Sequence, residues 1–316
     1  MGQNRGRRSP GTILVVGTIG FDDIETPFGS VRGVLGGSAS YFAAAASLYA
    51  PVRLVAVVGS DMPPGTLDFL RERGVDLRGL QVVEGKTFRW GGRYGYDLNS
   101  RDTLFTELGV YEGFRPVMHP DYRESEFVFL ANIHPVLQQE VLHQVQRPRL
   151  TMLDSMNLWI ETARAELTDT MRQVDMVCLN DSEAREFAGT SSLLTAARRI
   201  LALGPKAVLI KKGECGAVMV TEDEYFVAPA YPLAEAHDPT GAGDSFAGGF
   251  LGYLAQHEGE ITPAVLKKAV IHGSAVASFT VEEFSLDRLR RLTRAEVEQR
   301  YWEFTRLTYF DEVARD

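Results

Sequence analysis

DPTGAGDSF, residues 238–246, sets Gly241, Ala242 and Gly243 immediately before a carboxylate and an apolar run. From Asp244 onward Phe246, Phe250 and Leu254 recur at i, i+4 and i+8, with Leu251 and Tyr253 widening the stripe, so the spacing predicts an amphipathic helix starting near Gly243. The glycines then stand at its N-terminus. There unpaired N–H groups and the positive end of the helix dipole can hold an anion, and side chains larger than alanine would block its approach. A tight turn after Pro239, with Asp244 complementing the dipole for about 0.3–1 kcal/mol, would use the same glycines. Asp238, Thr240 and Asp244, however, crowd this hole within seven residues. That favours a hydroxyl held by a carboxylate against a phosphate, the arrangement that transfers a phosphoryl group to an alcohol.

Outward from this turn, short β-branched runs recur along the 316 residues: TILVVG (12–17), RLVAVVG (53–59), EFVFLAN (126–132), LTMLD (150–154), DMVCLN (175–180) and KAVLIKK (206–212). Most are apolar throughout, as parallel strands buried on both faces require. Between them SASYFAAAASLYA, PVLQQEVLHQVQ, SEAREFAG and SLLTAARRILALG have helix-forming composition, and Gly204 sits where the last would end. The alternation predicts an α/β fold with a mainly parallel central sheet. Residues 82–114 break the rhythm. Rich in aromatics, Thr and Gly, they read as twisted antiparallel strands: a small β lid, a decorated sheet edge, or a dimer contact that would make the protein a homodimer. No linker divides the chain, so residues 1–11 are read as a loose tail and 12–316 as one domain.

Composition narrows the partner. A net charge of −9, with arginines scattered among acids, disfavours nucleic acid. Nothing approaches 18 consecutive apolar residues, and the basic start lacks the apolar run of a signal peptide, so a cytoplasmic protein with no membrane partner is expected. Cys178 and Cys215 are too few for a disulfide framework or a Cys-based zinc site. A small molecule is the expected partner. GLQVVEGKT (79–87) mimics a P-loop, but five residues separate its glycines and a strand-like run follows. No strand is followed by G-x-G-x-x-G, so a dinucleotide site is not expected.

Residues 238–248 fulfil the pattern D-x-T-G-A-G-D-x-F-x-G throughout, and in this the chain resembles the ribokinase-like (PfkB-type) carbohydrate kinases over about residues 12–285. The resemblance implies a three-layer α/β/α sandwich with a small β lid. It makes Asp244 the general base and the amides of Gly241, Ala242 and Gly243 the anion hole. VLGGSASYFAAAA supplies the paired glycines, Gly36 and Gly37, of the family's acceptor site, and Asp22, read at the C-terminal end of the first strand, matches its hydroxyl-binding acid. NDSE (180–183) matches the family's N-x-x-E element, with Asn180 at the nucleotide and Glu183 reaching Mg²⁺ through water; the same residues also spell a helix capping box. KKGECG (211–216) would lay Gly213 and Gly216 along ATP with Lys211 or Lys212 near its phosphates, although the family more often has Thr where Lys211 stands. Thr240 is also assigned to ATP, and the helix holding His272 and Ala275 to adenine. Asp238 and Thr240 are the expected neighbours of a monovalent cation, K⁺, in relatives that bind one.

One departure bears on the acceptor. Five residues after Gly36 the family usually has Asn, and this chain has Tyr41, which cannot supply an amide's paired donor and acceptor. This points away from ribose or fructose held in the usual manner and toward a bulkier or aromatic acceptor. The expected activity is transfer of the ATP γ-phosphoryl to a hydroxymethyl group of a sugar, polyol or related compound. A nucleoside kinase is the alternative, with Phe21, Tyr41 and lid aromatics stacking on a base; a non-catalytic sugar or nucleotide sensor is the outside one. From the lid, Tyr94, Tyr96 and Arg101 are candidates to reach the acceptor.

Overall fold

The apolar runs form the middle of a nine-stranded sheet, as burial on both faces demands. The computed structural model describes residues 10–308. The chain begins with β1 (Ile13–Val16), makes a hairpin of β2 (Gly20–Thr26) and β3 (Gly29–Gly36), and enters α1 (Ser38–Ala46). Next come β4 (Val52–Gly59), α2 (Asp68–Glu72), β5 (Asp76–Val83) and a second hairpin, β6 (Phe88–Tyr94) with β7 (Arg101–Glu107). Then follow β8 (Phe127–Leu130), α3 (Pro135–Leu142), β9 (Leu150–Asp154), α4 (Asn157–Thr162), α5 (Arg164–Met171) and β10 (Met176–Asn180). After α6 (Asp181–Ala188) and α7 (Leu193–Leu201), β11 (Ala207–Lys211), β12 (Ala217–Thr221) and β13 (Tyr225–Ala228) complete the sheet. Four helices close the chain: α8 (Ala242–Gln256), α9 (Pro263–Thr280), α10 (Asp287–Arg291) and α11 (Arg294–Thr308).

The main sheet runs β13-β12-β11-β10-β9-β8-β1-β4-β5, parallel from β11 to β5 and antiparallel at β12 and β13. Successive residues of β1 point into different cores. Ile13 and Val15 pack with α1, α8 and α9, whereas Leu14 and Val16 pack with residues of α3, α5, α6 and α7. That alternation makes three layers, helix on sheet on helix. From β1 the chain builds outward to β4 and β5 on one side and to β8 through β11 on the other. The crevice outside the carboxyl ends of the strands at this reversal is where open α/β sheets bind ligands.

A separate four-stranded sheet, ordered β3-β2-β6-β7, stands apart from the main one and fits a lid. Its extent differs from the 82–114 reading. Residues 82 and 83 end β5 in the main sheet, and half of the lid comes from the β2–β3 hairpin at residues 20–36. The hairpin's charged, half-exposed residues lack the apolar runs that mark the other strands. Residues 1–9 of the expected tail lie outside the described residues, while Gly11 is buried with its N–H donating to the Ala255 carbonyl at 2.8 Å. Among the described residues no helix is long and apolar enough to cross a membrane.

Tyr111, in a 3-10 turn at Gly109–Gly113, pins the exit from β1. Its buried hydroxyl donates to the Gly17 carbonyl at 2.7 Å and accepts from the Ile19 N–H at 3.2 Å. Tyr111→Phe leaves both buried backbone groups without this partner, and a loss of about 1–3 kcal/mol is expected in the urea-unfolding free energy.

Candidate active site

α8 begins at the glycine turn, with Gly241 in the left-handed region at φ 74°. A Cβ there would also come within 2.3 Å of the Tyr41 ring, so the turn and the phenol are packed face against backbone. The structure corrects one member of the expected anion hole. The Ala242 N–H already donates to the Pro239 carbonyl at 3.1 Å, closing the turn. Among the described residues the N–H groups of Gly241, Gly243 and Asp244 make no hydrogen bond, so the open donors are these three.

Asp244 sits in the first turn of α8, lining a cleft of about 930 Å³ over the carboxyl ends of the parallel strands. Burial raises its pKa well above the usual carboxylate value; Asp154 adds to the rise, Lys211 opposes it, and Asp22 and Glu183 add further. Lys211, at the end of β11, pairs with Asp154, at the end of β9, at 2.5 Å. Its Nζ lies 3.0 Å from where a Cβ on Gly243 would stand, beside the open amides. Burial works most strongly against this ammonium, but the Asp154 charge and hydrogen bond, together with Cys178 and Glu183, outweigh it and raise its pKa.

NDSE does form a capping box: Asn180 Oδ1 accepts the Glu183 N–H and Glu183 Oε2 accepts the Asn180 N–H, each at 2.7 Å. Both residues nonetheless line the cleft. Burial, then the charge of Asp154, pushes the Glu183 carboxyl up to about 7. The cap fixes one carboxylate oxygen and leaves the other free for the site.

At the acceptor end Asp22 is buried, and burial with the nearby Asp238 charge pushes it up to about 8 against the opposing Gly37 N–H. Its place corrects the expectation: it lies within β2 of the lid, not at the end of β1, because the chain crosses to the second sheet directly after Val16. A Cβ on Gly36 would fall 1.9 Å from Asp22 Oδ2, so only glycine lets β3 run beside that carboxylate. Gly37 and Tyr41 line the same end of the cleft. Asp238 is buried and used by the backbone, accepting from Thr240 N–H at 2.8 Å and Ser285 N–H at 2.9 Å. The Thr240 hydroxyl donates to Tyr94 of β6 at 3.1 Å, tying the turn to the lid. Arg101 also lines the cleft, whereas Tyr96 is solvent-exposed and does not.

On the other side Gly213 lines the cleft against the Asn99 amide of the lid, while Gly216 closes the β11–β12 turn outside it. His272 corrects a further expectation. It does not line the cleft but stacks between Tyr253 at 4.2 Å and Tyr301 at 4.5 Å, with Nδ1 3.2 Å from the Tyr49 hydroxyl. Burial and the Arg294 charge push it down to about 3, as suits a neutral core histidine. An isolated His in an apolar helix carries no sequence signal separating these roles.

The pfkB family carbohydrate kinase model matches residues 15–289. The chain belongs to the pfkB family of carbohydrate kinases. Among its relatives a cytidine kinase of Thermococcus kodakarensis is 32% identical over 247 residues, 76% of this chain and 87% of that protein. A nucleoside kinase of Methanocaldococcus jannaschii is 25% identical over 187 residues, 59% of this chain and 58% of its own. The solved structure of a Methanocaldococcus jannaschii nucleoside kinase superposes with a TM-score of 0.74 at 21% identity, covering 94% of this chain and all of the other. That of a Burkholderia thailandensis nucleoside kinase in complex with inosine gives 0.72 at 20%, covering 92% and 98%. The fold is therefore the ribokinase-like sandwich, and the pfkB membership makes the chain a phosphotransferase.

Among the cleft residues of this pfkB chain that escape sequence reasoning are Asp154, Asn132 and Trp159. A signal existed for the first, since LTMLD places an acid at the carboxyl end of a parallel strand. Lys211→Met leaves the buried Asp154 carboxylate without its ion-pair partner, and a loss of about 3–5 kcal/mol in unfolding free energy is expected, largely recovered by the double change Asp154→Leu with Lys211→Met. Asp22, raised when folded, contributes stability that is complete below about pH 4 and lost as the pH rises through about 8. Asp22→Asn should therefore flatten the fall of the urea midpoint between pH 5 and 8 relative to wild type.

Proposed function

We propose that this pfkB-family chain transfers the γ-phosphoryl of ATP to the hydroxymethyl group of a sugar or ribosyl compound, with Asp244 as the base. One observation carries the reading: the half-buried Asp244 carboxylate beside three unpaired amides at a helix N-terminus, in one cleft with a buried carboxylate, Asp22. The first pair suits an alcohol and a phosphoryl group in line, and the second suits the acceptor's remaining hydroxyls. The cytidine and nucleoside kinases among the relatives favour a ribosyl acceptor.

In the reaction the acceptor oxygen forms its bond to the γ-phosphorus as the bond to the β-phosphate oxygen breaks, and ADP leaves. Asp244 accepts the hydroxyl proton. Burial raises the pKa of this carboxylate and so strengthens it as a base. The amides of Gly241, Gly243 and Asp244 face the developing phosphoryl charge. Lys211 stands beside this turn as a buried ammonium able to meet the phosphates. The free oxygen of Glu183 is a hard donor suited to a hydrated Mg²⁺, which when bound neutralises phosphate charge. A K⁺ at the Asp238–Thr240 turn would meet two carboxylate oxygens that accept the Thr240 and Ser285 N–H groups and, among the described residues, pair with no side-chain cation. Over the cleft, Tyr94 on Thr240 and Asn99 on Gly213 bring the lid down at both ends, excluding water that would otherwise hydrolyse ATP.

Asp244→Asn keeps the shape of the turn and removes the base. It should fold normally and bind ATP by calorimetry with wild-type affinity, yet lose at least about 100-fold in kcat for ADP release across a panel of sugars and nucleosides. Near wild-type turnover would sink the assigned role.

A further inference from the structure

Beyond Gly37 the same cleft extends to a recess beside the acceptor loop, lined by Asn132, His134 and Trp159. The Ser38 hydroxyl, one residue on, donates to the Asn132 carbonyl at 3.3 Å, so the acceptor loop abuts the carboxyl end of β8. Asn132 and Trp159, the latter in α4, both line the cleft and both are only half-buried. Trp159 Nε1 donates to Asn132 Oδ1 at 2.8 Å. An indole N–H is a donor only, so this bond fixes which way the amide points. Its oxygen faces the indole, and its NH₂ has as partner only the Met156 thioether at 3.1 Å, a weak acceptor. The amide thus keeps one N–H and one oxygen lone pair in reserve. His134 meets the indole at 67° with ring centroids 5.0 Å apart and restrains it.

We infer that this recess is a nucleobase subsite: Trp159 offers the stacking face, Asn132 reads the edge of the base, and the acceptor is a nucleoside rather than a free sugar. The chemistry decides the class. A side-chain amide pairs in bidentate fashion with an edge that carries an acceptor next to a donor, which nucleobases present and a sugar ring does not. A flat indole beside that amide supplies the sequence-tolerant stacking surface. With the hydroxymethyl group at Asp244 and the ribosyl hydroxyls at Asp22, the substituent on the anomeric carbon is the part of the acceptor left to enter the recess. The inference rests on the kinase reading of Asp22 and Asp244.

Phosphorylation of cytidine, uridine, adenosine and inosine is compared with that of free ribose, in wild type, Trp159→Leu and Trp159→Phe. At least one nucleoside is expected to exceed ribose in kcat/KM. Trp159→Leu should cut that preference by roughly 5- to 100-fold, the range for one lost base–aromatic stack, with the change in the nucleoside KM and not in the KM for ATP. Trp159→Phe retains a stacking ring and should recover most of it, which a merely structural role for the indole would not reproduce selectively. Ribose turned over better than every nucleoside, or equal losses for nucleoside and ribose in Trp159→Leu, would overturn the subsite while leaving the kinase reading standing. No transfer to any acceptor by wild type, with ATP bound, would overturn the kinase reading itself.

Discussion

Carboxylates repel one another, and this site gathers four of them within one cleft, Asp22, Asp154 and Glu183 buried and Asp244 half-buried. What makes the cluster tolerable is the Lys211 ammonium, paired with Asp154 and felt by Glu183 and Asp244. Burial, with the remaining repulsion added to it, holds the Asp22, Glu183 and Asp244 carboxyls above their usual range. Removing the ammonium would expose the full desolvation penalty of the group it balances, so the rest of the site is arranged around that pair. An enzyme that handles a polyanion gains by this tension. An acid with a raised pKa is the stronger base, and a lysine already charged and fixed needs little reorganisation to meet a phosphate.

The pair exists because parallel strands end together. β9, β10 and β11 lie side by side, with Asp154 level with Cys178 and Asn180 level with Lys211 two residues further on. Residues tens of positions apart therefore share one rim, and the glycine turn before α8 is laid over it. The sheet contributes the acids and the ammonium, while the helix contributes bare backbone. Neither half can hold a phosphoryl group against an alcohol without the other.

Much of this was legible in the sequence, for physical reasons. Six apolar runs could only be strands buried on both faces, and the helix after Gly243 announced itself by its stripe, which placed the glycines at an N-terminus and gave Asp244 a task. The capping-box and metal readings of NDSE are compatible, because a carboxylate has two oxygens and the cap uses one. What escaped lacked a local signal. Half of the lid is a hairpin too polar to read as a strand, so Asp22 was placed on the wrong sheet. The Ala242 amide looked free until its bond to Pro239 was seen, and His272 became a core residue only once Tyr253 and Tyr301 closed on it. Asp154 and Trp159 acquire meaning from partners 57 and 27 residues away.

The position of Asp22 on β2 has a mechanical consequence. Asp22, the carboxylate we propose for the acceptor, is carried by a lid strand, beside Gly36 at the end of the next, and the chain enters and leaves this hairpin at β1 and α1, on the body of the protein. A swing of the lid must carry Asp22 with it. Acceptor capture and closure are then one movement of one piece of chain: the sensor of the acceptor is mounted on the door. Without an acceptor to bridge Asp22 to the body, the lid lacks that tether, and a nucleotide in the cleft is left facing a site in which its γ-phosphoryl has no aligned alcohol.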